Sequence, residues 1–248
     1  MSDISVSLQL YTVRDQTAQH FEETIRQVAA LGYTGVEFAG YGDLPAPELA
    51  ALLRETALQV AGTHISLEKA EHNLDGEIDY CIAIGCQSLI VPWLSPELCT
   101  AAGIHAVAQR LNALGRHCYE RGIAFGFHNH ALEFTEAEGK YLLDILLDET
   151  DPAFVQSELD TYWAAYAGTD PKAYLARRAG RVRWVHLKDM TPERSFTEVG
   201  AGTLDINGII DAAKLAGAQW YIIENDAPTI PSLESARQSL ENLRRLRA

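Results

Sequence analysis

Short apolar runs rich in Val, Ile, Phe and Tyr recur along the chain, separated by longer segments of mixed polarity. The runs are "ISVSLQLY" from Ile4, "TGVEFAG" from Thr34, "LQVAGTHI" from Leu58, "QSLIVPWL" from Gln87, "IAFGFHNH" from Ile123, "FVQSELDTYW" from Phe154, "VRWVHLKDM" from Val182 and "QWYIIEND" from Gln219. Several are apolar almost throughout rather than alternating, the pattern of parallel strands covered on both faces. The segments between them read as helices. In "FEETIRQVAALG", Phe21, Ile25, Val28 and Ala29 fall at helical spacing and Gly32 marks the stop. The same helix–glycine–strand punctuation returns at Gly85, Gly122, Gly180 and Gly217. "LPAPELAALLRETA" places Pro47 in a first helical turn. "GIHAVAQRLNALGRHCYERG", "DINGIIDAAKLAG" and "SLESARQSLENLRRLRA" continue the amphipathic pattern.

Eight strand–helix units on 248 residues, with no linker and no break in composition, predict a single α/β domain over residues 1–248, a (β/α)8 TIM barrel. An open dinucleotide-binding sheet gains no support, because no G-x-G-x-x-G follows the first strand. The glycine-rich "VGAGTLDI" lies after the seventh, and its Gly200 and Gly202 give at most a weak phosphate cradle.

Charge narrows the partners. A formal net charge of −14 repels phosphate backbones, and "RRLR" at the C-terminus reads as the solvated end of a last helix. The expectation is no nucleic acid and no membrane. No basic and apolar leader opens the chain, and no apolar run approaches the ~18 residues of a span. Cys81, Cys86, Cys99 and Cys118 show neither C-x-x-C spacing nor disulfide-scaffold density. These features together predict a cytoplasmic protein with reduced thiols, a small-molecule substrate and the possibility of a homo-oligomer.

In a barrel of this kind, chemistry sits at the C-terminal ends of the strands. The polar residues gather at those ends: Gln9 and Tyr11, Glu37, His64, then His128, Asn129, His130 and Glu133, then Glu158, Asp160 and Trp163. His186, Lys188 and Asp189 follow, and last Glu224, Asn225 and Asp226. Any one of them alone reads as a solvated or hydrogen-bonded residue. Several carboxylates at one mouth require a compensating cation, most simply a divalent metal. Glu133, Asp160, His186 and Glu224 offer three oxygen ligands and one imidazole, a set suited to one Mn2+, Mg2+, Co2+ or catalytic Zn2+.

The motifs "SLQLYTVRD", "GYTGVEF", "GTHIS", "FHNHALEF", "ELDTYW", "HLKDM", "VGAGTLDI" and "IIEND" stand in the order of the xylose-isomerase-like TIM barrels. The chain resembles, more closely, the sugar phosphate isomerase/epimerase group of that family, over essentially its whole length. The resemblance implies a single divalent metal held by a Glu, an Asp, a His and a second Glu from the last four strands. The Asp matches Asp160, the His matches His186 and the last Glu matches Glu224. Many members read Glu-Asn-His where this chain has His128-Asn129-His130, so the first ligand is taken as Glu133, with His128 as the alternative.

The implied reaction is isomerisation or epimerisation of a sugar or sugar phosphate, by proton abstraction next to a carbonyl through a metal-stabilised enediolate. Glu133, Glu224 and His128 are the candidate catalytic residues; Gln9, Tyr11, Glu37, His64, His130, Trp163 and Lys188 are the candidate substrate-binding ones. Lys188 would hold an oxyanion, or form a plain ion pair with Asp189. The alternative is β-elimination on the same site, by a keto-inositol dehydratase or a 3-keto-glycoside lyase. An abasic-site endonuclease needs more His and carboxylate ligands and a basic surface, and a sugar-binding barrel without activity would carry no metal.

Overall fold

The computed structural model describes residues 5–248, so Ile4, where the first strand was expected to begin, lies outside the described residues. Eight parallel strands close into a barrel: β1 (Val6–Gln9), β2 (Gly35–Phe38), β3 (Gln59–His64), β4 (Ser88–Val91), β5 (Ala124–His128), β6 (Gln156–Asp160), β7 (Val182–Leu187) and β8 (Trp220–Ile223). Neighbours pair in sequence order and β1 closes onto β8. Each expected strand is present and shorter than its apolar run, because the run continues into the loop that carries the polar residues. "DTYW" departs most: Asp160 ends β6, and Trp163 lies on a helix rather than on the strand.

The helices α1 (Arg14–Leu31), α2 (Ala46–Thr56), α3 (Leu67–Ile84), α4 (Ala101–Glu120), α5 (Leu142–Asp148), α6 (Thr161–Tyr166), α7 (Pro171–Arg177), α8 (Ile206–Ala216) and α9 (Ser232–Arg247) are the further elements that connect and cover the strands. Gly32 after α1 and Gly217 after α8 both have φ of 95°, the left-handed turn that a side chain disfavours. Pro47 stands in the first turn of α2, where its missing N–H costs nothing. No helix of the described residues is long and apolar enough to cross a membrane.

The main core lies between the barrel and its helices. A second, smaller cluster of Ala61, Ile90, Trp184 and Ile222 draws on β3, β4, β7 and β8. Strands β3 and β7 are far apart in the sheet order, so this cluster plugs the barrel interior. Gly126 faces it on β5: a Cβ there would stand 2.6 Å from Trp184 Cζ3. The alternation of a strand then puts His128 on the same inward face, and Glu158 and Asp160 likewise follow Gln156. The apolar plug is the floor of everything polar above it.

Candidate functional site

Two tiers of polar side chains stand on that floor. The lower tier is Gln9, Glu37, His64, His128, Glu158 and His186. Its contacts cross the barrel: His186 Nε2 lies 2.8 Å from Glu37 Oε2, and His64 Nε2 lies 2.7 Å from Glu158 Oε2. His128 Nδ1 approaches the same Glu158 oxygen at 3.0 Å. Gln9 is fixed at both ends of its amide, with Nε2 donating to Glu37 at 2.8 Å and Oε1 accepting from the Tyr11 N–H at 3.0 Å.

The upper tier is Asp160, Lys188, Glu224 and Asp226. The Lys188 ammonium, 1% exposed, sits 2.9 Å from Asp160 Oδ2, 2.8 Å from Glu224 Oε2 and 2.9 Å from Asp226 Oδ1. The expected pairing with Asp189 does not occur. Asp189 instead accepts hydrogen bonds from the backbone N–H groups of Gly200 and Gly202 on one oxygen and of Leu204 on the other. The donors of the suspected phosphate cradle are therefore already taken by a carboxylate. His186 joins the tiers, because its Nδ1 lies 2.7 Å from Glu224 Oε2.

Burial and charge set the protonation of these groups in opposite directions. Burial opposes charge on Glu37, but the imidazoles of His64 and His186 overcome it and keep the carboxyl far below its usual range. Burial also opposes charge on His64, and Glu37 with Glu158 reverse the effect and lift it to about 10. His186 is raised in the same way, against its burial, by Glu158 and Glu37. Glu158 moves up, through burial first and the nearby Glu37 second. His128 is driven well below the ordinary histidine value by burial and by His186 and His130. His130 falls to about 4 for burial and the proximity of Lys188. On Glu224, burial is outweighed by Lys188 and His186, and its carboxyl stays ionised; on Asp226, burial and the Glu224 charge raise the value to about 7.

Above the tiers opens a cavity of about 490 Å3, large enough for a small polyol. His64, His128, Lys188 and Glu224 form its base. The rim carries Tyr11, 42% exposed, and Trp93, 53% exposed, two aromatic faces turned to a polar interior. His130 lines the wall, its ring centroid 5.3 Å from that of Trp163. Trp163 itself donates its backbone N–H to Asp160 Oδ1, so Asp160 caps α6 with one oxygen and faces Lys188 with the other.

Glu133 stands apart. The chain leaves β5 at His128 and enters a short 3-10 turn, Leu132–Phe134. There Glu133 Oε2 accepts the His130 N–H at 2.8 Å, and Oε1 lies 3.7 Å from Cys99 Sγ. Burial raises its pKa. It is not one of the residues that converge with Asp160, His186 and Glu224, whose ligand atoms lie within 4.8 Å of one another. Three residues of the site stand outside the candidate catalytic, binding and ligand sets, although Glu158 and Asp226 were among the polar strand ends. Glu158 shares the inward face with Asp160 at a spacing of two, a signal legible in "SELD"; Asp226 follows Glu224 in the same way; Trp93 gave no signal beyond a strand end.

A cation fits this site. Glu37, Glu158, Asp160 and Glu224 are buried, yet Lys188 is the only Lys or Arg paired with any of them among the described residues. Glu37 Oε1 and Glu158 Oε1 have no hydrogen-bond partner. Buried carboxylates with oxygens to spare, beside imidazoles, form a donor set for a divalent ion.

A closed parallel barrel with ionisable groups gathered at the carboxyl ends of its strands defines an enzyme of the TIM-barrel class. The chain belongs to the xylose isomerase-like TIM barrel family, whose profile matches residues 25–246. It is 27% identical over 192 residues to an inosose dehydratase of Geobacillus kaustophilus, a match spanning 68% of this chain and 62% of that one. It is 26% identical over 267 aligned positions to an inosose dehydratase of Mesomycoplasma hyopneumoniae, covering 91% and 88%. A sugar phosphate isomerase/epimerase from Parabacteroides distasonis superposes with a TM-score of 0.84 at 20% identity, over 97% of this chain and 98% of that one, and shares the fold.

Proposed function

We propose that this enzyme removes the proton next to the carbonyl of a keto-polyol and expels the hydroxyl group one carbon further on, the reaction type of an inosose dehydratase. The observation that carries the reading is a pair of carboxyls, Glu224 and Asp226, sharing one ammonium at the base of the cavity with their pKa values pushed apart. Glu224, ionised, takes the carbon-bound proton. Lys188 faces the carbonyl oxygen, where negative charge develops. Asp226, near 7, gives its proton to the departing hydroxyl, so that water leaves and a carbon–carbon double bond remains. Tyr11 and Trp93 supply apolar faces for the ring carbons, and His130 the wall beside them. Asp160, His186 and Glu224 would hold a divalent ion, which when bound would polarise the substrate carbonyl. Glu133 is assigned to bracing the His128–His130 turn. The curated relatives support the substrate class.

Isomerisation or epimerisation of a sugar shares the first step and returns the proton to carbon; the oxygen-rich Asp160–Glu224 pair, suited to adjacent carbonyl and hydroxyl oxygens, favours it as the second reading. Incubation in D2O with keto-inositols, 3-keto-glycosides, ketoses and aldoses, followed by NMR, separates the two. Loss of water with a new enone, or its diketone tautomer carrying deuterium on the carbon that lost the hydroxyl, is the expected result. Deuterium in an intact polyol would transfer the assignment to isomerase or epimerase, and no exchange on any substrate would remove both. Glu224→Gln should slow exchange by about 10^2- to 10^4-fold. Elimination should also slow as pH rises through about 7, where Asp226 loses the proton it must donate.

A further inference from the structure

The loop between β7 and α8 is wrapped around one buried carboxylate. Asp189, 1% exposed, lies outside the cavity whose base its neighbour Lys188 helps to form. Its Oδ1 accepts the N–H groups of Met190 at 2.8 Å and Leu204 at 3.1 Å. Its Oδ2 accepts those of Gly200 at 2.9 Å and Gly202 at 3.0 Å. Backbone N–H groups converging in this way form a nest, the concavity by which loops hold anions. Hydrogen bonds to an ionised acceptor are about twice as strong as neutral ones, so the charge matters as well as the shape. The glycines serve the same contact. A Cβ on Gly202 would stand 2.2 Å from Asp189 Oδ1, so only bare backbone reaches the carboxylate there.

The segment tied down by this carboxylate lies against the site. Asp189 and Met190 pair antiparallel with Thr197 and Phe196, and the Met190 carbonyl accepts both the N–H of Thr203 at 2.8 Å and its hydroxyl at 2.9 Å. The Lys188 ammonium stands 6.0 Å from the centroid of the Phe196 ring. That ring stacks on Tyr162 at 4.2 Å and meets Trp163 edge-on at 5.6 Å, and Trp163 packs on His130 of the cavity wall. One carboxylate thus joins the start of the loop, at 190, to its end, at 200–204, with Phe196 held between them over Lys188.

We infer that Asp189 is a positioning residue, an internal anion that holds the 190–204 loop against Lys188, and that its nest takes up a small carboxylate from solution once the side chain is removed. The effect on turnover rests on the function proposed above; the nest does not. Without the carboxylate, four N–H donors lose their acceptor, and the loop opens to water or recruits another anion. Phe196 then withdraws from Lys188, and the ammonium is no longer fixed opposite the oxygen where charge develops. Misplacement by about 1 Å, caused from a distance, lowers turnover by up to ~100-fold.

The test is Asp189→Ala with and without sodium formate, whose carboxylate matches the one removed. Turnover of the keto-polyol should fall by roughly 10- to 100-fold, in kcat rather than KM, and recover along a saturation curve as formate is added. Formamide, of the same size but uncharged, should restore nothing, and formate should give the parent chain no gain. Amide hydrogen exchange supplies a readout that needs no substrate: the N–H groups of Gly200, Gly202 and Leu204 should lose protection in the variant and regain it with formate. Protection unchanged by the substitution, or lost and not regained, would overturn the nest. Recovered protection with turnover equal to the parent's throughout would overturn the positioning role. A parent chain without turnover would sink the proposed reaction and leave the exchange result standing. Should Asp189→Ala not fold, Asp189→Asn decides the matter, because its amide keeps the size and loses the charge and one acceptor. Exposure of Met190 and Leu204, or of Gly200 and Gly202, supports the nest, and full protection of all four refutes it.

Discussion

Lys188→Met is expected to reduce turnover by at least ~10^2- to 10^3-fold and to destabilise the fold by about 3–5 kcal/mol. The ammonium is buried among Asp160, Glu224 and Asp226 at 2.8 to 2.9 Å, so its removal leaves three carboxylates facing one another without a counter-charge. The pH dependence follows from linkage. Against its burial, Asp160, Glu224 and Asp226 raise the lysine's own pKa well above its ordinary value. Its contribution is therefore complete below the unfolded lysine value, and is lost only as pH rises through the higher folded value. At neutral pH it is fully present in the parent chain. In the variant Glu224 and Asp226 lose the ammonium that lowers their carboxyls, so the native state binds more protons than the unfolded one. The deficit should be largest at pH 8 and shrink toward pH 5. Denaturant unfolding of both proteins at the two pH values checks the stability, and deuterium exchange checks the chemistry. A variant that keeps turnover within tenfold would remove Lys188 from the mechanism.

Trp184→Ala should cost about 3–5 kcal/mol, measured by urea unfolding. The indole is fully buried and forms the interior plug with Ala61, Ile90 and Ile222. It pairs in register with Glu158 on the neighbouring strand, so the cavity would open directly under the lower tier. Gly126→Ala tests the same contact from the other side, since its Cβ would meet the ring at 2.6 Å; overpacking there should cost about 1–3 kcal/mol. Combining Gly126→Ala with Trp184→Leu should recover part of the loss, because the added methyl enters vacated space. A cost below 1 kcal/mol for Trp184→Ala would mean that the plug does not support the barrel.

Much of this architecture is legible in the chain before any coordinates. The eight apolar runs name the strands, because a parallel strand covered on both faces has to be apolar nearly throughout. The glycines at 32, 85, 122 and 217 adopt the positive φ that ends a helix, and Gly180 takes a positive φ in the turn before β7, a backbone requirement written directly into residue type. Strand polarity follows from the strand–helix alternation, and it gathers His64, His128, Asp160, His186 and Glu224 at one mouth.

What the chain alone does not state is which oxygen or nitrogen each polar group spends on its own backbone. Glu133 and Glu158 are equivalent as letters, but one turn of 3-10 helix after β5 gives the Glu133 carboxylate to the His130 N–H, whereas Glu158 keeps an oxygen free inside the barrel. Lys188 sits beside Asp189 in sequence and pairs instead with Asp160 and Glu224, because strand alternation sends adjacent side chains to opposite faces. The decisive contacts, His64 with Glu158 and His186 with Glu37, join strands on opposite sides of the barrel. Local pattern determines the elements and their order; closure of the barrel determines which charges meet, since only the closed sheet brings distant strands within hydrogen-bonding distance.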